Sequence, residues 1–199
     1  MTAPQDLHQL VPWPGALVAV VEQLVSCPWP RSDEDRDTLF GQLEFVSGGP
    51  FAPNPDESTT KLFALATALP GDVHAGWVSH EGHFLGINLQ PYTSMQPDNP
   101  ATHRGYDEVR SRLTSLYGEA TDVWDSEETP PCTWTVNGRV ITMHLFSRRH
   151  SGMMLSVDDA ELGAAADAAA SAAAKTRVLT PELVTLMKEE APRRTSPQQ

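Results

Sequence analysis

Cysteine is nearly absent from this chain: Cys27 and Cys132 are the only two, far apart and without a CxxC partner. That excludes a disulfide framework. One long-range bridge remains open, but buried reduced thiols are the expectation where no export signal precedes them. Basic residues are scarce as well, 14 Lys and Arg against 26 Asp and Glu in 199 residues, for a formal charge of -12. A field of that sign repels phosphate backbones and argues against nucleic acid as a partner, while steering a basic protein inward. Long apolar runs are missing too. The longest, Ala16 to Val21, falls far short of the roughly 20 residues that span a bilayer. The segment Met1–Val11 lacks the basic start of a secretory signal, so the expectation is a cytoplasmic protein without membrane contact.

The motifs that carry common chemistries are absent in turn. Neither Walker nor dinucleotide glycine spacing occurs, and no Gly-x-Ser-x-Gly elbow exposes a nucleophile; Val46-Ser47-Gly48-Gly49 lacks the strand–turn–helix context. His74, His80 and His83 are the best metal candidates. On a strand, however, His74 lies roughly 20 Å from His80, too far for the converging ligands that zinc requires. No metal and no cofactor is therefore expected. Cys27 follows an apolar helix and Cys132 sits on a strand beside Trp134, so both read as packing residues. No catalytic residue stands out, and the chain reads as a non-enzyme.

What is present is an α+β pattern. Pro14 opens a helix with Ala16, Leu17, Val20, Val21, Leu24 and Val25 at helical spacing. Ser32 caps a second helix, whose face carries Leu39, Phe40, Leu43 and Phe45 and which Gly48-Gly49-Pro50 is expected to stop. Lys61–Leu69 is taken as a strand. A strand through Trp77, the Glu81-Gly82 turn and the run Phe84–Leu89 complete a meander. Asn99 or Thr102 starts a helix in which Tyr106, Val109, Leu113, Leu116 and Tyr117 form one stripe and Gly118 is the stop. Asn137-Gly138, between Cys132–Val136 and Ile141–Leu145, is a strong hairpin signal. Another strand follows at Met153–Val157, then an alanine-rich helix and a restart at Thr180-Pro181. These elements predict an antiparallel sheet of about six to seven strands with helices packed mainly on one face, plus C-terminal helices. Residues 1–157 would form one α+β domain, 158–191 a helical extension and 192–199 a disordered tail. Two strand groups, each after helical segments, hint at a loose duplication.

Binding candidates come from the aromatics and the acids. Trp13 and Trp29 sit in Pro-Trp-Pro settings at the ends of the first helix, where they either pin connections or anchor a partner. Trp29 and Trp124 are the candidate anchors, with Asp33 and Asp35 in one acidic run and Glu127 and Glu128 in another. The stretch Cys27-Pro28-Trp29-Pro30-Arg31-Ser32-Asp33-Glu34-Asp35, followed by Leu39, Leu43 and Phe45, carries a resemblance. It continues in Leu116-Tyr117-Gly118-Glu119-Ala120, Trp134 and Ile141–Leu145. Over its central two-thirds the chain thereby resembles an uncharacterised family of small acidic proteins from high-GC bacteria. Members look like immunity or accessory proteins of polymorphic-toxin and specialised-secretion loci. The resemblance implies a non-catalytic protein-binding module, either an immunity protein neutralising a basic toxin domain or a chaperone-like accessory of a secretion system. It brings no catalytic residues.

Overall fold

The computed structural model describes residues 10–51, 59–122 and 131–177. The chain divides into two compact units, Met1–Gly163 and Ala164–Gln199. In the first unit α1 (Pro14–Ser26) and α2 (Asp33–Gln42) precede β1 (Val46–Pro50), β2 (Thr60–Ala66), β3 (His74–His80), β4 (His83–Gln90) and the short β5 (Thr93–Ser94). Then come α3 (Pro100–Tyr117), β6 (Thr121–Asp122), β7 (Cys132–Val136), β8 (Arg139–Phe146), β9 (Ser151–Asp159) and α4 (Ala160–Arg177). The class is α+β, as the sequence pattern predicts. The strands form one antiparallel sheet in the order β1-β2-β3-β4-β9-β8-β7-β6, with β5 paired to β9. Seven strands have five residues or more, and β5 and β6 add two residues each.

The path is two meanders, β1–β4 and β6–β9, sewn together by the β4–β9 pair. Helical segments precede each meander, α1 and α2 the first and α3 the second. Register across the seam builds the core. One row runs Trp77, Ile87, Val157, Ile141, Trp134 and the next runs Ala75, Leu89, Leu155, Met143, Cys132. Over these rows lie Leu17, Val21 and Leu24 of α1 and Tyr106, Val109 and Leu113 of α3, none more than 2% exposed. α1 and α3 pack on each other and both reach β9. Burying each such side chain contributes roughly 1.5–3 kcal/mol.

Local chemistry sets the ends. Cys27 is extended (ψ 156) because Pro28 follows it, and α1 stops there. Asn99, not Thr102, caps α3: its side chain accepts from Ala101 and Thr102 N–H with Pro100 at the first turn. Asn137 (φ 50) and Gly138 (φ 71) both take the left-handed conformation that a type I′ hairpin demands.

Three expectations are corrected. α2 ends at Gln42, well before Gly48-Gly49-Pro50, which belongs to β1. The stop is a Schellman-type turn in which Phe45 N–H bonds Phe40 C=O and Glu44 stands at φ 56, so a glutamate holds the place where glycine would advertise a helix end. β9 runs on to Asp159, past the expected strand end at Val157, because Asp158 and Asp159 pair with Val140 and Arg139. Leu116 is not on the buried stripe of α3; it is 48% exposed, and Tyr117 takes the inward place.

In the second unit residues 164–177 are helical and alanine-rich, which favours helix without supplying core bulk. The Thr180-Pro181 restart and the tail at 192–199 lie outside the described residues. No helix among the described residues is long and apolar enough to cross a membrane.

The seam supplies a test. A Cβ added at Gly86 would stand 2.6 Å from Val157 O and 2.0 Å from Asp158 Oδ1. Gly86→Ala should cost about 2 kcal/mol through overpacking, read as a lower urea midpoint at unchanged m-value.

Candidate functional site

A half-open groove of about 1030 Å³ lies among the described residues. One wall is α2, through Asp35, Thr38, Leu39 and Gln42; the other is the junction of β9 and α4, through Asp159, Glu161 and Leu162. Cys27 and Trp29 from the α1–α2 connection, His83 and Phe84 from β4, and Arg139 from β8 line the rest.

Phe84 reaches the groove floor through a β-bulge. Val78 faces Gly86, but Ser79 faces Phe84, so Leu85 is the extra residue. That one-residue slip turns Phe84 to the side of Trp77 and Phe40, whose rings lie 6.1 and 5.8 Å away. Trp29 then sits on Phe84, centroids 5.0 Å apart, and donates its indole N–H to Phe84 O at 3.1 Å. Trp29 is held by the core yet stays half-buried, so it both pins the connection and offers surface to the groove.

Arg139 closes the back. Its guanidinium lies 4.5 Å above the Trp29 ring and its Nη1 stands 3.5 Å from Asp159 Oδ2. Nη1 also donates to Gly138 O at 3.2 Å. The other oxygen of Asp159 caps α4, accepting from Glu161 and Leu162 N–H at 3.1 and 3.0 Å. Asn137 Nδ2 donates to Val25 O, and Ala160 N–H donates to Gly138 O, so the hairpin tip ties α1 and α4 to the same corner.

Of the sequence candidates, Trp29 and Asp35 meet in this groove; Asp33 does not line it. Asp33 and Asp37 clamp Arg36 at 2.7 and 2.8 Å, and Arg36 in turn lies 4.6 Å over Trp77. Asp35 belongs to a capping arrangement. Its N–H donates to Ser32 Oγ and its carboxylate accepts Arg31 N–H, which holds its pKa below the ordinary 3.8. Trp124, Glu127 and Glu128 lie outside the described residues. Trp13 is 51% exposed with Arg112 over its ring at 5.1 Å, away from the groove lining.

Sequence reasoning missed Arg139, Phe84, Asp159 and Glu161. The hairpin signal at Asn137-Gly138 placed Arg139 at the head of a strand, but nothing local announced its partner twenty residues on.

Burial pushes the Cys27 thiol above its ordinary range, against a smaller opposing pull from Arg139, and the thiol donates weakly to Leu24 O. A protonated thiol is a poor nucleophile. Cys132 is fully buried, 3.4 Å from Tyr106 OH, and neither cysteine forms a disulfide. His80 and His83 pair across the β3–β4 turn, where His80 is buried against Thr60 Oγ1 at 2.8 Å; His74 stands at the far end of β3 opposite Gln90. Among the described residues no three His, Cys, Asp or Glu side chains gather as a metal site.

The capping arrangement is testable. Ser32→Ala should remove about 1 kcal/mol of stability, seen in urea melts. Because the Asp35 pKa is lowered in the fold, its charge stabilises at pH values above the ordinary 3.8 and loses that effect as pH falls through the lower folded value. Asp35→Asn should therefore be less stable than wild type at pH 7, and the gap should close on acidification; a gap constant with pH would refute the cap. Comparison with protein-family models, with curated protein sequences and with solved structures gave no match in any of the three.

Proposed function

We propose that this chain is a non-catalytic protein-binding module of the bacterial cytoplasm whose partner is basic, and that it acts as an immunity protein by occluding a toxin domain. The observation that carries the reading is the groove, in which the half-buried indole of Trp29 lies between walls bearing Asp35 on one side and Glu161 on the other. An aromatic anchor flanked by charge is the arrangement in which a central ring supplies affinity and a rim sets encounter rate. The net charge of -12 acts in the same direction, raising the local concentration of a cationic partner.

The test is association kinetics with the partner recovered by affinity capture on the intact chain. The on-rate should fall about tenfold between low and high ionic strength, and reversing Glu34 and Glu161 to Lys should slow association and flatten that dependence. Trp29→Phe keeps the ring stack but loses the bond to Phe84 O, so its melting curve is measured first; with the fold intact it should raise the dissociation rate. An on-rate indifferent to salt would leave the acidic surface with solubility as its role and end the reading.

A further inference from the structure

We infer that the groove receives a helix of the partner, one with an apolar stripe bordered by lysines or arginines; this rests on the protein-binding reading above. The first argument is about backbone. The strand residues that line the groove, His83, Phe84, Arg139 and Asp159, belong to β4, β8 and β9, and the β4–β9 ladder ends beside them at Gly86 and Asp158. Past that end the Phe84 carbonyl is taken by the Trp29 indole N–H, so an extended peptide finds only a short, partly occupied edge and most of its N–H and C=O groups would go unpaired as it lost water. A helix satisfies its own backbone and brings only side chains.

The second argument is about charge. The floor is apolar, formed by Trp29, Phe84 and Leu39. Arg139, the cation at the back, is 13% exposed, lies on Trp29 and pairs with Asp159 through Nη1, while its buried Nε has no hydrogen-bond partner among the described residues. At the lips stand Asp35 and Glu161, with Glu34 one turn before Thr38 on α2. Arg31 is the one exposed cation among the lining residues. Apolar floor and acidic lips fit an amphipathic helix with basic flanks and disfavour an acidic one.

The probe is a synthetic amphipathic Leu/Lys peptide, titrated into the full chain at about 0.15 M ionic strength, where charges beyond about 8 Å are screened. The readout is the indole ¹⁵N–¹H resonance of Trp29, assigned by its loss in Trp29→Phe. Saturable movement of that resonance, with the peptide becoming helical, is expected. A Leu/Glu peptide of the same pattern should leave it in place. Thr38→Arg, on the exposed surface of α2, should abolish the shift without lowering the melting temperature, and Glu161→Lys should weaken binding about fivefold. A resonance that stays still, moves equally with the Leu/Glu peptide, or moves equally in Thr38→Arg overturns the helix-in-groove proposal. None of those results touches the broader reading, which falls instead on salt-independent association with the captured partner.

Discussion

The β4–β9 ladder is the constraint on which the rest depends. Each meander has one face to bury and few residues with which to bury it. Pairing Ile87 with Val157 and Leu89 with Leu155 makes two short apolar rows into two that cross five strands. The helices follow from this. α1 precedes the first meander and α3 the second, and they meet over β9 because that is where the joined rows are deepest. The ladder also dictates Gly86. Its partner Asp158 lays a carboxylate oxygen where a Cβ would stand, so a side chain there would force apart the strands that everything else presupposes.

A second fixed point is the tip of the β7–β8 hairpin. Asn137 and Gly138 take φ 50 and 71, and from that geometry their polar groups reach the end of α1, the start of α4 and the Arg139 guanidinium. Each of these bonds contributes only about 1 kcal/mol on its own. Their effect is positional: three segments far apart in sequence are held at one corner, which becomes the back of the groove. The opposite wall is held differently. α2 buries only Leu39 and Phe40 along its length, and a second hollow of about 310 Å³ adjoins the groove, sharing Cys27, Leu39 and Gln42 with it. The groove thus has a tied wall and a lightly anchored one, and displacement of the α2 side would move fewer buried contacts.

Much of the fold was legible where local chemistry decides it. The Asn-Gly turn, the glycine stop at Gly118 and the alternation along β7 and β8 are statements about neighbours in sequence, whereas the choice of Asn99 over Thr102 as the α3 cap stays open at that level. The α2 terminus was not legible, because Glu44 adopts a conformation that glutamate rarely advertises and tertiary packing of Phe45 selects it. The site was half legible for the same reason. Trp29 between two prolines and Asp35 three residues after Ser32 are local signals. Phe84 depends on a bulge, and Arg139 and Asp159 on the pairing of two strands, none of which composition or periodicity encodes.

Net charge is a poor guide to where a partner would be drawn, and the structure shows why. Asp33 and Asp37 hold Arg36 against Trp77, Asp159 holds Arg139 and caps α4, and Glu108 holds Arg112 through an i,i+4 pair. The one-to-one pairs largely cancel beyond a few ångströms, the Asp33–Arg36–Asp37 group keeps one net negative charge, and at physiological salt the remainder is screened within about 8 Å. The acidic run at the start of α2 therefore acts mainly on its own helix: Asp35 on the cap, Asp33 on the arginine that covers Trp77. Uncommitted carboxylates near the groove weigh more per charge than the same number spread over the surface. Glu161 is such a group. It sits in the first turn of α4 on the tied wall, with no ion pair among the described residues, and it faces the lip that carries Asp35. On the proposed reading, selection of a cation at the groove mouth would turn on a few side chains whose positions the β7–β8 corner and the α2 cap determine, rather than on the excess of acids counted along the chain.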